Sequence, residues 1–191
     1  MKLILASGSP RRKEILSMIT NNFEVIVSNC KEEIDSNITA EEQVKHLASM
    51  KAQEVFEKTK EIGDRIVIGS DTIVVKDEKI YGKPSNYDDA FRMIKELKNS
   101  THKVMTGICV LIYNENTVKE IAQVDVSSVH ITDISDNEIE KWLSTGDAYD
   151  KAGAYAIQGK FSVFIDKIEG NYFSIVGLPI NRVYNAIKEY I

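Results

Sequence analysis

The sequence predicts an α/β fold: a single mixed-sheet unit with flanking helices and a deep central cleft. Two observations lead to this prediction. Short apolar runs with strand composition alternate along the chain with segments of helical periodicity. No internal repeat and no linker-like tract divides the 191 residues, a length that suits one domain or two small lobes. We therefore expect one domain over residues 1–191, with two lobes around the cleft as the open alternative.

The first half of the chain supplies two predicted strands and two predicted helices. Residues 3–7 form a buried strand that leads through a tight turn into a helix with Pro10 in its first turn. Thr39 and Glu42 have the spacing of a capping box, which begins a second helix. Residues 65–75 are apolar on both faces except near the middle, which favours a central strand of a covered sheet.

The second half predicts three helices, a hairpin and two short strands. Helical periodicity predicts the helices, apolar runs around a turn predict the hairpin, and aromatic and β-branched composition predicts the strands. In chain order they are a helix at 87–98, a hairpin of 103–113 and 118–131, a helix begun by the capping box of Ser135 and Glu138, strands at 161–165 and 172–176, and a helix at 180–187.

Composition excludes several classes of protein. The chain carries 29 acidic and 24 basic residues, and its net charge of −5 argues against a protein that coats nucleic acid through a general basic field. Its apolar stretches reach about six residues, whereas roughly 20 are needed to span a bilayer. We therefore expect a cytoplasmic protein without nucleic-acid or membrane partners. Cys30 and Cys109 lack the spacing of a disulfide framework or a thiolate zinc site.

Familiar nucleotide-binding and catalytic motifs are missing from the sequence. It contains no GxGxxG, and five residues separate Gly153 from Gly159 where a P-loop needs four. Phe161 also stands where the P-loop lysine is followed by Ser or Thr. Neither HExxH nor GxSxG occurs. Rossmann, Walker, zinc-peptidase and serine-hydrolase interpretations therefore have no support.

Two charged residues occupy positions that packing alone would give to apolar ones. Lys51 lies seven residues after Val44 and projects from the middle of the apolar stripe of the second helix. Either its methylenes reach the edge of the helix, or the helix lines a cleft that holds an anion. Asp71 interrupts the strand at 65–75, where an unpaired carboxylate would cost several kcal/mol. Either a structural salt bridge or a bound divalent cation can supply its partner, and we favour a functional acid.

The segment at 7–13 has the composition of a phosphate site. Ser7-Gly-Ser-Pro-Arg-Arg-Lys13 places hydroxyls, a glycine and three cations at a predicted helix N-terminus. Free amides and the helix dipole attract an anion there, and an arginine can bind two phosphate oxygens at once. A solvated basic helix start is the alternative, although cations at that end oppose the dipole.

Seven short blocks of the sequence are informative when they are considered together. They are Leu5-Ala-Ser-Gly-Ser-Pro-Arg-Arg12, Leu47-Ala-Ser-Met-Lys-Ala52, Gly69-Ser-Asp-Thr72, Gly82-Lys-Pro84, His102-Lys-Val-Met-Thr-Gly107, Asp150-Lys-Ala-Gly-Ala-Tyr-Ala-Ile-Gln-Gly159 and Val176-Gly-Leu-Pro179. In this order they resemble the Maf family of nucleoside triphosphate pyrophosphatases, across nearly the whole chain.

The resemblance implies a fold of the Maf and ITPase-like kind, often dimeric, with a house-cleaning activity. Members of the family hydrolyse a nucleoside triphosphate to the monophosphate and pyrophosphate with a divalent cation, Mg²⁺ or Mn²⁺. The block that ends in Ile157-Gln158-Gly159 is similar to that of members acting on dTTP, UTP and modified pyrimidine nucleotides.

The resemblance also implies roles for individual residues. These are Asp71 as the catalytic acid, Asp71 and Glu32 as metal ligands, Ser7, Arg12, Lys51 and Lys83 as substrate-binding residues, and Arg11, Thr72 and Gln158 as specificity positions. Many members have an Asp-Glu pair where this chain reads Lys31-Glu32-Glu33-Ile34-Asp35. Glu33 is therefore the alternative to Glu32.

The resulting hypothesis is metal-assisted attack of water on a nucleotide phosphate, with charge stabilisation by cations and a pyrimidine edge read by Gln158. The family's association with inhibition of septum formation suggests one alternative, a non-catalytic nucleotide-binding regulator of cell division. A structural interaction protein is a third.

Overall fold

The chain divides into two compact units in the computed structural model, which describes residues 1–35 and 37–191. Unit 1 comprises residues 1–71, 106–125 and 177–191, and unit 2 comprises residues 72–105 and 126–176. The single domain and the cleft expected from the sequence stay predictions.

The strands form a mixed seven-stranded sheet, which confirms the predicted fold class. In chain order they are β1 (Lys2–Leu5), β2 (Glu24–Val25), β3 (Arg65–Lys76), β4 (Lys79–Tyr81), β5 (Ser100–Asn114), β6 (Thr117–Ile131) and β7 (Ile165–Glu169). Their order in the sheet is β2-β1-β3-β5-β6-β7, with β4 paired to β3. β1 runs parallel to β2 and β3, whereas β4 and β7 pair antiparallel with β3 and β6.

The helices flank the sheet, and all of the α-helices except α5 begin where the sequence indicates. They are α1 (Pro10–Ser17), α2 (Ala40–Lys58), α3 (Tyr87–Leu97), α4 (Asp136–Leu143), α5 (Tyr172–Val176) and α6 (Ile180–Ile187), with short 3₁₀ helices at Ala152–Ala154 and Gly159–Phe164. Both predicted capping boxes are confirmed: the side chains of Thr39 and Ser135 accept from the amides of Glu42 and Glu138, and both glutamates reach back. Among the described residues, no helix combines the length and the apolar character needed to cross a membrane.

In unit 1, α2 lies so close to the sheet that only glycine fits beneath it. A Cβ atom at Gly69 of β3 would stand 2.3 Å from the carbonyl oxygen of Ala48 and 2.7 Å from the amide nitrogen of Ala52. A Cβ atom at Gly107 of β5 would stand 2.4 Å from the carbonyl oxygen of Val44. Because strand side chains alternate, Asp71 projects from the same face of β3 as Gly69, toward α2.

In unit 2, the core is built around aromatic side chains. Phe161 is fully buried, and its ring centroid lies 5.2 Å from that of Trp142 and 5.3 Å from those of Tyr155 and Phe164. The indole nitrogen of Trp142 donates to the carbonyl of Ala154 at 2.9 Å. These rings fix the chain between α4 and β7.

The two short strands predicted at 161–165 and 172–176 are wrong. Residues 161–164 belong to a 3₁₀ helix, and a strand begins only at Ile165. Residues 172–176 form α5, because the Asn171 side chain accepts from the amides of Phe173 and Ser174 and thereby caps a helix. Aromatic and β-branched composition misled the prediction, since burial of Phe161 in the aromatic core outweighs strand propensity.

Candidate active site

A hydrogen bond between Ser7, just after β1, and Arg12, in the first turn of α1, connects these two elements. Ser7 is 7% exposed, and its Oγ accepts from the Ser9 amide and from Arg12 Nη1, each at 3.2 Å. Arg12 Nε donates to the carbonyl of Gly177 at 2.9 Å. The guanidinium is therefore fixed from two directions at the helix N-terminus that the sequence indicates as a phosphate site.

The environment of Arg12 contains both predicted acidic residues. Burial lowers the pKa of the Arg12 guanidinium below its usual value, whereas the negative charges of Asp71 and Glu32 act in the opposite direction. Arginine remains protonated under any physiological condition, so this desolvated cation attracts anions strongly.

Lys51 lies between two carboxylates. Its Nζ is 2.5 Å from Asp71 Oδ1 and 2.7 Å from Glu32 Oε1. The side chains of Lys51 and Asp71 are 10% and 8% exposed, whereas that of Glu32 is 45% exposed. The two residues that the sequence singles out as misplaced charges are thus partners, and the cluster reaches solvent at Glu32.

Ser70 and Gly177 belong to this site although sequence reasoning gave them no individual role. The Ser70 side chain is fully buried, and its Oγ lies 2.9 Å from the Gly177 carbonyl oxygen and 3.0 Å from that of Gly107. The Gly177 carbonyl thus interacts with both Ser70 and Arg12, which ties the segment before α6 to β3 and α1. Their presence in the family blocks was the only signal, since no local pattern links residue 177 to residue 12.

The second carboxylate that contacts Lys51, besides that of Asp71, belongs to Glu32 and not to the predicted alternative, Glu33. Glu33 is exposed, and its backbone carbonyl accepts from Gln43 Nε2 at 2.8 Å. Arg11 is half-buried in α1, next to Arg12.

The remaining predicted residues belong to unit 2. Thr72 is half-buried, Lys83 is exposed after β4, and Gln158 Nε2 lies 3.2 Å from the hydroxyl of Tyr172. Their predicted roles in binding and specificity stay predictions.

The acidic residues of the cluster suit a hard divalent cation. Mg²⁺ is commonly bound by one or two carboxylates together with substrate phosphates and waters. Asp71 and Glu32 supply two carboxylates, which fits that pattern, and the Lys51 ammonium now lies between them, so an ion bound by both would have to displace it. Within residues 1–35 and 37–191, no group of three or more His, Cys, Asp or Glu side chains could hold a metal ion by itself.

Comparison with known proteins identifies the family of this chain. The chain matches the family described as Maf-like protein over residues 2–190. The dTTP/UTP pyrophosphatase of Alkaliphilus oremlandii is 46% identical over 99% of this chain and 96% of its own length. The enzymes of the same name from Lachnoclostridium phytofermentans and Clostridium perfringens are 44% and 42% identical, over 99% and 100% of this chain and 95% and 97% of their own lengths.

Similarity to solved structures is weaker. The nucleoside-triphosphatase / dITP/XTP pyrophosphatase of Mycobacterium abscessus aligns with a TM-score of 0.40 and 13% identity over 69% of this chain and 74% of that chain. The full-length sequence match decides the family: this chain belongs to the Maf family.

Proposed function

We propose that this protein hydrolyses dTTP and UTP, and modified pyrimidine nucleotides of the same kind, to the monophosphate and pyrophosphate. The names and full-length similarity of the curated relatives support this proposal. The observation that carries it is the charged cluster of unit 1, in which the buried Lys51 lies between the buried Asp71 and the exposed Glu32, with Arg12 beside them. Its two cations and two carboxylates have the chemistry needed to hold a polyphosphate and to activate water.

Asp71 and Glu32 are the residues that would hold a divalent cation, Mg²⁺ or Mn²⁺. Such an ion, when bound, lowers the pKa of a coordinated water and neutralises phosphate charge. Asp71 is the better placed of the two to act also as a base, because it projects from a rigid central strand and is nearly buried.

The reaction breaks the bond between the α-phosphorus and the oxygen that bridges it to the β-phosphorus. A water oxygen attacks the α-phosphorus, Asp71 accepts a water proton, and pyrophosphate leaves with the electron pair of the broken bond. Arg12 and Lys51 neutralise the charge that develops on the leaving pyrophosphate. Ser7 holds the Arg12 guanidinium in place through its hydroxyl. We expect Lys83 to add a further cation and Gln158 to read the pyrimidine edge.

The direct test is release of pyrophosphate from a panel of UTP, dTTP, CTP and GTP in the presence of Mg²⁺. We expect turnover of UTP and dTTP, and its loss in Asp71→Asn, which keeps the size of the side chain but removes the charge and the base. Asp71→Asn should still bind nucleotide, seen as a rise in melting temperature on addition of UTP. Near wild-type hydrolysis by Asp71→Asn would remove Asp71 from the mechanism. Nucleotide binding without pyrophosphate release by the wild-type protein would favour the non-catalytic regulator.

A further inference from the structure

The segment that carries Glu32 runs along α2 as an extended strap, defined here as residues 28–35. It is neither helix nor strand. Glu54 near the C-terminal end of α2 lies against one end of the strap, Lys51 against its middle and Gln43 against its other end. The strap therefore runs antiparallel to the helix, and Glu32 lies between its two points of attachment.

Glu54 fastens the first end of the strap. Its Oε2 accepts from the amides of Asn29 at 2.7 Å and Cys30 at 3.1 Å, and also from the hydroxyl of Ser28. Its other oxygen accepts from Lys58 at 2.6 Å. The ion pair with Lys58 and the hydrogen bond from Ser28 lower the pKa of Glu54 to about 2, so the carboxylate stays charged near neutral pH.

Gln43 fastens the second end. Its side chain is fully buried, its Nε2 donates to the carbonyl of Glu33 at 2.8 Å, and its Oε1 accepts from the amide of Asp35 at 2.8 Å. One amide thus satisfies a backbone donor and a backbone acceptor on either side of Ile34. A buried amide with this arrangement tolerates no other residue type without leaving polar groups unpaired.

The strap is only just long enough to span the distance between its two attachments. Gln43 and Glu54 are eleven residues apart, about three helical turns or roughly 16 Å along the helix axis. The five residue steps from Cys30 to Asp35 span at most about 18 Å when fully extended. A strap held at both ends over such a distance has few conformations, so the position of Glu32 follows from the two attachments.

We propose that Gln43 and Glu54 are positioning residues that hold Glu32 against Lys51 by fastening the strap at both ends. This inference rests on the proposed function, in which Glu32 is a metal ligand. Neither Gln43 nor Glu54 touches the reacting groups. Loss of either attachment should let Glu32 leave the site and should weaken metal binding by about tenfold, the lower end of the range for residues that orient a metal ligand.

The test is calorimetric titration of Mn²⁺ into the full-length protein in the presence of a UTP analogue with a non-hydrolysable α–β bridge. Gln43→Met and Glu54→Met keep side-chain length but remove the hydrogen bonds to the strap. Gln53→Met and Glu57→Met are matched controls on the exposed side of the same helix, where the Gln53 side-chain amide donates to the Glu57 carboxylate. We expect about tenfold weaker Mn²⁺ binding in the first pair and wild-type binding in the controls.

Combination with Glu32→Gln separates positioning from general damage to the fold. If Gln43 acts through Glu32, Gln43→Met should weaken Mn²⁺ binding in the wild-type background but not in Glu32→Gln. An equal loss in both backgrounds, or no loss in either strap variant, would overturn the inference while leaving the role of Glu32 intact. Wild-type Mn²⁺ binding by Glu32→Gln alone would instead overturn the metal role of Glu32, and the positioning role with it. If Gln43→Met does not fold, Glu54→Met supplies the same test from the other end.

Discussion

Unit 1 buries both partners of an ion pair, whereas unit 2 buries a hydrogen-bonded pair of neutral side chains. In unit 1, Lys51 and Asp71 form an ion pair that is almost closed to solvent. In unit 2, His102 Nε2 lies 2.5 Å from the hydroxyl of Tyr155, and both residues are buried. Burial lowers the pKa of His102 to about 4 and raises that of Tyr155 far above its usual value, so both stay neutral near pH 7.

The buried ion pair and the buried neutral pair differ in how much they contribute to stability. A buried ion pair contributes little net stability, because the desolvation of both charges offsets their attraction. A neutral pair that shares a hydrogen bond avoids most of that cost. The charged cluster of unit 1 is therefore poorly explained as packing, which is consistent with the proposal that it binds the substrate. The polar pair of unit 2 needs no such explanation.

The largest expected effect is on the stability of unit 2. Phe161→Ala removes the fully buried ring at the centre of the aromatic core and should lower the free energy of unfolding by about 3–5 kcal/mol. Turnover per folded molecule should be unchanged. Urea denaturation and pyrophosphate release measure the two quantities, and Val163→Ala, at a side chain that is 75% exposed, is the control. A loss of turnover without loss of stability would place Phe161 in the reaction and break the comparison.

Next in size is the effect of Arg12→Lys on catalysis. The lysine keeps the charge but cannot reproduce the geometry of a guanidinium that contacts Ser7 and Gly177 at once. We expect kcat/KM for UTP to fall about a hundredfold, the loss typical of removing one group that stabilises developing charge. Arg182→Lys makes the same change where an arginine pairs with Asp125 and should leave kcat/KM unaltered. Equal effects of the two substitutions would contradict a special role for Arg12.

Acid has a smaller expected effect on the stability of the His102 pair when that effect is taken per pH unit. The folded pKa is lowered by burial and by the charges of Lys76 and His130, so the unfolded chain takes up a proton first as pH falls. Stability from this group is complete above about pH 6.5 and is lost toward about pH 4, at up to about 1.4 kcal/mol per pH unit. His102→Gln should flatten the profile of unfolding free energy in that window. An unchanged slope would show that other groups govern acid sensitivity.

The smallest expected effect is on the choice of base. Gln158→Ala should leave folding intact and reduce the preference for UTP over CTP by about tenfold, since a site that hydrogen-bonds the base rejects one that leaves its groups unpaired. The measurement is kcat/KM for UTP, dTTP, CTP and GTP. Gln123→Ala, at an exposed position of β6, serves as the control. An unchanged ranking would place specificity elsewhere in the chain.

Local patterns predicted much of the fold and the unusual residues of the site. The spacing of Thr39 and Glu42 located the start of α2, and helical and strand periodicity marked Lys51 and Asp71 as misplaced charges. Periodicity could not show that these two charges contact each other, because a pair twenty residues apart in sequence is joined only by the packing of α2 on β3. The same holds for Ser70 and Gly177, which lie still further apart along the chain. The strand predictions for residues 161–164 and 172–176 failed for the opposite reason. There, tertiary packing and an asparagine cap outweighed the local preference for a strand.

The central claim is that the charged cluster exists for catalysis and not for stability. Its most direct test is the double substitution Lys51→Met with Asp71→Leu, which replaces the buried ion pair by apolar side chains of similar volume. We predict a free energy of unfolding equal to or above that of the wild type, together with complete loss of pyrophosphate release from UTP. A fall in unfolding free energy of several kcal/mol, or retained turnover, would contradict the claim.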